Sequence, residues 1–121
     1  MVVSRHTVER FSWGQVCDGW RLLDQEHFSI IEESVPPGAG EAWHVHDRAH
    51  QFFYVLGGTA SFDLVGEASF VVTSGEGIAV EPGRAHRISN PDDSADVHFL
   101  VISAPSTRGD RREVSPKVNV E

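Results

Sequence analysis

Short β-rich runs dominate the sequence between Phe28 and Pro105, and they constrain the possible folds more than any other feature. The runs are FSIIEESV, QFFYVL, TASFDLV, ASFVV, GIAVEP, HRISN and VHFLVIS. Turn signals separate them, among them PPGAG, LGG, SGEG, PGR and NPDD. No long window shows the apolar period of a helix. Many short strands at close spacing predict an all-β sandwich or small barrel.

The length of 121 residues fits one domain with one core. Residues 1–27 carry Trp13 and Trp20 and are too apolar for a free tail, so we expect this N-terminal segment to pack on the barrel or on a dimer partner. Residues 28–105 form the predicted barrel. Residues 106–121 are polar enough to be a C-terminal surface arm.

The stretch HVHDRAHQFFYVLGG places three histidines just before an apolar run. His44 and His46 are two positions apart, so in a strand both imidazoles point to the same face, roughly 6.5 Å apart along the chain. In the next run Gln51 and Phe53 share one face. If that face is the interior, Gln51 joins the two histidines and His50 points elsewhere.

A second stretch, GIAVEPGRAHRISN, contributes one more histidine. Pro82 and Gly83 form a predicted turn, and His86 begins the strand that follows it. A third imidazole can therefore enter the same cavity from a strand that is not adjacent in sequence. Three histidines in this arrangement indicate a metal site more than core packing.

The two stretches resemble the two motifs of the cupin family, from about Val35 to Ser103. The first motif is usually Gly, five residues, His-x-His, three or four residues, Glu, six residues, Gly. Gly38, His44, His46 and Gly58 match it. This chain departs from the motif at Gln51, which stands where the family's glutamate ligand is usual.

The second cupin motif is usually Gly, five residues, Pro-x-Gly, two residues, His, three residues, Asn. Gly75, Gly83, His86 and Asn90 match it. Glu81 stands where the first proline of Pro-x-Gly is usual, a difference confined to the loop.

The resemblance implies a cupin double-stranded β-helix, which is a jelly-roll β-barrel, holding one divalent metal. It implies His44, His46 and His86 as ligands and Gln51 as the fourth, with His50 as the alternative if Gln51 turns away. A nitrogen-rich site with one amide oxygen suits nickel, iron, zinc, manganese or cobalt, and the sequence does not choose among them.

Gln51 also affects the predicted chemistry. A neutral amide leaves the charge of the ion uncompensated, which makes the ion a stronger Lewis acid. An amide cannot take up a proton, which disfavours close similarity to the flavonol dioxygenases and oxalate-degrading cupins. Small single-domain cupins with this ligand set include those that resemble enzymes opening unsaturated uronate rings.

Two activities of a mononuclear metalloenzyme fit this ligand set. One is isomerisation or ring opening of a sugar-like acid, and the other, with ferrous iron, is dioxygenase chemistry. The alternative is a non-catalytic barrel that binds a sugar or another small effector.

Further residues are candidates for substrate binding and proton transfer. Arg84 precedes His86 by two residues at the predicted barrel mouth, where it could hold a carboxylate. Phe53 is a second substrate-binding candidate because it follows Gln51 on the same face. The sequence does not fix the faces of the remaining strand residues that could act as acid or base, which are Glu33, Tyr54, Asp63 and His98.

Composition excludes several classes of partner. The chain has 18 acidic and 10 basic side chains and a formal charge of −8, so it should repel nucleic acid and anionic membranes. The sequence shows no apolar run of membrane-spanning length and no secretory signal, so the expected location is cytoplasmic. Cys17 is the only cysteine, which excludes a cysteine-rich metal site.

An apolar strand face suggests self-association. Phe52, Tyr54 and Leu56 alternate away from Gln51, and Trp43 alternates away from His44. We expect a homodimer, or the N-terminal segment, to cover this surface.

Overall fold

A computed structural model describes residues 1–116 as a β protein in which that part of the chain forms no helix. The all-β prediction is therefore confirmed, and no helix in these residues could cross a membrane. The strands are β1 (Arg10–Trp13), β2 (Cys17–Asp24), β3 (Ser29–Val35), β4 (His44–Val45), β5 (His50–Gly57), β6 (Thr59–Leu64), β7 (Phe70–Thr73), β8 (Gly77–Val80), β9 (His86–Ser89), β10 (Val97–Ala104) and β11 (Arg112–Glu113).

The strands form two antiparallel sheets that face each other across one core. The first sheet has the order β1-β2-β3-β10-β5-β8, and the second has the order β11-β4-β9-β6-β7. Strands that are neighbours in a sheet are often distant in sequence, as β3 and β10 are. This arrangement places β4 and β9, which carry the histidines, opposite β5, which carries Gln51.

Alternation along the strands decides which side chains enter the core. In β10 the buried residues Val97, Phe99, Val101 and Ser103 alternate with partly exposed ones. Phe99 and Val101 pack with Phe53, Val55 and other apolar residues in one buried cluster. The period of two in the sequence therefore predicts the inward face of this strand correctly.

The N-terminal segment extends the first sheet. Strands β1 and β2 form an antiparallel pair, and β2 also pairs with β3. Trp13 packs edge-on against Phe99, with ring centroids 6.3 Å apart. The segment from residue 10 to residue 24 thus contributes directly to the wall and core of the barrel.

The C-terminal segment also contacts the barrel. Residues 106–116 are mostly exposed, but β11 pairs with β4. Asp110 is buried and lies against the loop that follows His46. This part of the predicted surface arm therefore reaches the histidine-bearing strand.

Gly58 shows why the first motif needs a glycine at its end. Its φ of +83° lies in the left-handed region, and an added Cβ would approach the carbonyl oxygen of Asp96 to 2.4 Å. Only glycine fits the tight connection between β5 and β6.

Candidate metal centre

Three imidazoles meet inside the barrel, on the second sheet. His44 in β4 pairs directly with His86 in β9, and His46 follows the end of β4. The ring centroid of His44 lies 4.3 Å from that of His86 and 5.0 Å from that of His46. One ligand nitrogen from each residue lies within 4.8 Å of the others, and all three side chains are buried. The group could hold a metal ion.

Backbone carbonyls orient the three rings. The Nδ1 atom of His44 lies 3.0 Å from the Ala42 carbonyl oxygen, and that of His86 lies 2.9 Å from the Arg84 carbonyl oxygen. The Nδ1 atom of His46 lies 2.7 Å from the Asp110 carbonyl oxygen. Because a carbonyl can only accept a hydrogen bond, each Nδ1 donates its proton and each Nε2 keeps its lone pair. This is the arrangement that metal-binding histidines adopt.

The rings are neutral at physiological pH. Burial lowers the pKa of His44 to about 3, and the neighbouring His86 and Arg111 act in the same direction. Burial lowers the pKa of His86 to about 4, and it also lowers the pKa of His46. Protons therefore do not occupy the nitrogens that a metal would need.

Gln51 enters the interior from the opposite sheet. Its side chain is buried, and its Nε2 donates to Ser103 Oγ at 3.2 Å. Within residues 1–116, Gln51 Oε1 has no hydrogen-bond partner, and neither has His86 Nε2. Buried acceptors are rarely left unpaired, so the two atoms point to a missing partner.

The residues present fit a divalent metal. Three imidazole nitrogens with free lone pairs and one unpaired amide oxygen are the donors that first-row metals bind. His44, His46 and His86 would hold the ion, and Gln51 Oε1 is the atom available as a fourth ligand.

The two remaining candidates from the first stretch, His50 and Phe53, lie in different environments. His50 is exposed at the start of β5, whereas Gln51 is buried, although both line the same surface cavity as Phe52. Phe53 is buried, and its ring centroid lies 6.0 Å from that of His86. The structure thus brings Phe53 to the histidines and leaves His50 outside.

Arg84 is engaged away from the histidines. Its guanidinium donates to Glu67 Oε2 and lies beside Glu81 Oε1, both at 2.6 Å. It lines an outer cavity with Val65 and Pro82, and none of the three histidines lines that cavity.

Among the acid–base candidates, Glu33 alone takes the inward register. It pairs with Phe99 across β3 and β10, and Phe99 is fully buried. Burial raises the pKa of Glu33 well above its usual value, and Glu41 acts in the same direction. Within residues 1–116 the Glu33 carboxyl makes no hydrogen bond or ion pair.

The other three candidates alternate with inward-facing residues on their strands. Tyr54 is exposed, and Asp63 lies between the buried residues Phe62 and Leu64, with its carboxylate accepting from Arg87 Nε at 2.7 Å. His98 alternates with buried neighbours in β10, but its Nδ1 atom is buried and has no hydrogen-bond partner within residues 1–116.

Sequence reasoning missed two charged residues beside the histidines. Glu41 Oε1 lies 3.7 Å from His44 Nδ1 and 3.3 Å from Arg111 Nη1. Burial raises the pKa of Glu41 to about 7, while Arg111 and the Ile88 N–H oppose that rise. Glu41 lies between Gly38 and His44 of the first motif, so its closeness to His44 in the sequence could have indicated it. Arg111 lies in a polar stretch that gives no such indication.

Asp110 is a third missed residue, and it fixes the loop after His46. Its carboxylate accepts backbone hydrogen bonds from Asp47, Arg48 and Ala49 at 2.9 to 3.2 Å. Its own carbonyl accepts from His46 Nδ1. The C-terminal segment therefore positions one of the three imidazoles.

Comparison with known proteins identifies the family. The family model described as "Cupin domain" matches residues 31–103, which is more than half of the chain. A search of curated proteins gives no match.

Solved structures share the fold. A polyketide cyclase, RemF from Streptomyces resistomycificus, has a TM-score of 0.81 at 22% identity, covering 97% of this chain and 87% of that one. KdgF from Halomonas sp. has a TM-score of 0.77 at 15% identity, covering 88% and 95%.

A third similar structure is a conserved protein from Klebsiella pneumoniae with a double-stranded β-helix domain. It has a TM-score of 0.77 at 20% identity, covering 95% of this chain and 97% of that one. The predicted double-stranded β-helix is thereby confirmed. The family match over residues 31–103, more than half of the chain, shows that the chain belongs to the cupin family.

Proposed function

We propose that this protein is a mononuclear metalloenzyme that acts on a small oxygen-rich molecule. Its reaction is the isomerisation or ring opening of a sugar-like acid, in preference to dioxygenase chemistry. The observation that carries the proposal is the group of three buried imidazoles, each oriented by a backbone carbonyl, together with two buried atoms that lack a partner within residues 1–116, His86 Nε2 and Gln51 Oε1.

The bound ion supplies Lewis acidity toward hydroxyl, carbonyl or carboxylate oxygens, as a site of neutral ligands favours. The protein contributes orientation. Ser103 holds the Gln51 amide by its nitrogen, which leaves the oxygen directed away from that bond. Phe53 provides an apolar wall beside His86, which limits the water that reaches this side of the site.

Proton transfer has a candidate on the inner face. Glu33 is a carboxyl whose raised pKa keeps it protonated under conditions where an exposed glutamate is ionised. Such a group can donate a proton to a leaving oxygen and take one back. This property favours acid–base chemistry such as isomerisation or ring opening.

One structural relative supports an enzymatic role over a binding barrel. RemF is described as a polyketide cyclase, and the alignment covers 97% of this chain and 87% of that one.

The test uses protein prepared without a histidine tag and reconstituted separately with nickel, iron, zinc, manganese and cobalt. Each form is incubated with a panel of uronates and unsaturated uronates, with His86→Ala as the control. Product is followed by NMR and oxygen by an electrode. We expect wild type to convert at least one uronate without taking up oxygen. We expect no conversion by His86→Ala.

Other outcomes separate the remaining functions. Turnover that needs ferrous iron and consumes oxygen would replace the proposal with dioxygenase chemistry. A ligand that binds tightly and is recovered unchanged from every metal form would indicate a binding barrel instead of an enzyme.

A further inference from the structure

Arg111 is linked to His44 through the carboxylate of Glu41. One oxygen, Glu41 Oε1, lies 3.3 Å from Arg111 Nη1 and 3.7 Å from His44 Nδ1. The positive charge of Arg111 lowers the pKa of all three imidazoles, which agrees with a guanidinium close to the whole group. The arginine belongs to the C-terminal segment, one residue before β11.

The Arg111 guanidinium makes few hydrogen bonds with the rest of the described chain. A guanidinium has five donors, and within residues 1–116 this one makes a single contact, the 3.3 Å bond to Glu41. By contrast, Arg112 forms a bidentate pair with Asp47 at 2.9 and 3.0 Å. Most donors of Arg111 are therefore available to a ligand.

Arg111 is also accessible from outside. Its side chain is 39% exposed, whereas that of Glu41 is 5% exposed. Both residues line a cavity of about 750 Å³ between the β1–β2 turn and the second sheet, together with Trp13 and Arg87. None of the three histidines lines this cavity, because Glu41 lies between Arg111 and His44. A small molecule in the cavity can therefore touch the guanidinium without contacting the imidazoles.

Glu41 does not depend on Arg111 alone. Its other oxygen, Oε2, accepts the backbone N–H of Ile88 at 3.2 Å. This bond holds the carboxyl in place when the guanidinium turns toward a ligand. A carboxylate ligand would offer Arg111 the two-oxygen geometry that a guanidinium binds best, which the single contact with Glu41 does not.

We propose that Arg111 binds the carboxylate of a small acid in this cavity, in preference to neutral molecules. The inference goes beyond the proposed function, because the cavity that holds Arg111 is separate from the three histidines. Arg84, the arginine that sequence reasoning favours, is held by two carboxylates, whereas Arg111 keeps donors free.

The test compares wild-type protein with Arg111→Gln, Arg111→Lys and Arg112→Gln. Arg112→Gln is the matched control, because it removes a neighbouring arginine that is engaged elsewhere. The probes are D-galacturonate and pyruvate, with D-galactose as the neutral partner. Binding is measured by calorimetry on the Co²⁺-loaded and metal-free proteins, and the visible spectrum of Co²⁺ reports on the metal site.

We expect the Co²⁺-loaded wild type to bind at least one acid more tightly than galactose. Arg111→Gln should weaken binding of that acid by about tenfold, the usual consequence of losing a hydrogen bond to a charged group. Arg111→Lys should restore part of it, and Arg112→Gln should change nothing. Galactose binding and the Co²⁺ spectrum should be the same in all four proteins, which a general loss of structure would not allow.

The inference is overturned if wild type shows no preference for the acids, or if Arg111→Gln binds them as tightly as wild type. Failure of the proposed function looks different, because wild type would then turn over none of the uronates in any metal form, whichever acids it binds. In that event calorimetry on the metal-free proteins still decides whether Arg111 selects acids.

Discussion

At the scale of single residues, burial keeps the three histidines in the neutral form that can bind a metal. Burial keeps the pKa of His44 at about 3 and that of His86 at about 4, far below the usual value near 6.5. Folding therefore removes the competition with protons that exposed imidazoles face.

This leads to a prediction about metal affinity and pH. We expect the affinity for Ni²⁺ to fall far less from pH 8 to about pH 5 than it would for exposed imidazoles, because His44 and His86 do not protonate in that range and burial also lowers the pKa of His46. Exposed imidazoles would lose roughly tenfold per histidine for each pH unit below 6.5. Competition with a chelator at several pH values measures the effect, and a steep loss between pH 7 and 5.5 would contradict it.

Glu41 leads to a prediction about the free energy of unfolding, because its pKa is raised where those of the histidines are lowered. Its folded pKa of about 7 lies above the unfolded value of 4.5, so the folded state binds the extra proton between these values. Relative to Glu41→Gln, the metal-free wild type should therefore gain stability as pH falls from 7 to 4.5, by roughly 3 kcal/mol. Urea unfolding at several pH values tests this, and a constant difference between the two proteins would refute it.

The sequence predicts the residues at the centre of the site better than those around it. His44, His46, His86 and Gln51 stand at fixed spacings in two motifs, and the structure gathers them inside the barrel. Arg111 reaches the site only because β11 pairs with β4, a contact between segments distant in sequence. No local pattern contains that information.

At the scale of elements, the C-terminal segment supports the histidine-bearing loop. The Asp110 carboxylate accepts backbone N–H bonds from the three residues 47–49, and its backbone carbonyl accepts the ring N–H of His46. Since the carboxylate is charged, its three backbone bonds are stronger than ordinary turn bonds. The segment is thus part of the site's framework.

We predict that Asp110→Ala lowers the free energy of unfolding by about 2 to 4 kcal/mol, because the buried N–H of Ala49 and the partly buried N–H groups of Asp47 and Arg48 lose their charged acceptor. It should also weaken metal binding by roughly 10- to 100-fold, the usual effect of disturbing a residue that orients a metal ligand. Urea unfolding and calorimetry measure the two effects. The control Arg112→Ala removes only an exposed ion pair in the same region and should change both quantities little. Equal effects from both variants would contradict this role for Asp110.

The strands of residues 28–105 are predicted well, but those of the N-terminal segment are not. Apolar alternation marks β5 and β10 clearly. Gly19 lies within β2, although glycine normally disfavours strands. The structure gives the reason: Phe11 of β1 lies over this glycine, and an added Cβ would meet its ring at 2.4 Å. Only the paired strand explains the residue.

At the scale of the whole molecule, the outer face of the first sheet is apolar. Phe52, Tyr54 and Leu56 are 41%, 37% and 44% exposed along β5. The N-terminal residues reach a different part of this face, where Arg5 lies over Trp20. Among residues 1–116, nothing covers the β5 side chains completely.

We therefore expect a homodimer formed through this face, since burying it would remove apolar surface from water. Leu56→Glu should shift the protein toward a monomer, because it places a charge in the interface. Val71→Glu is the control, as Val71 is exposed on β7 of the other sheet. Light scattering should give twice the mass of one chain for wild type and the control. A monomeric wild type would contradict the prediction.

The central claim is that His44, His46 and His86, with Gln51, hold one divalent metal. The most direct test is metal content by mass spectrometry on protein prepared without a histidine tag or metal column. Wild type and His86→Ala are compared as isolated and after reconstitution with nickel, iron, zinc, manganese or cobalt. We predict close to one ion per chain in wild type and loss of that ion in the variant. A wild type that retains no ion under any of these conditions would contradict the account.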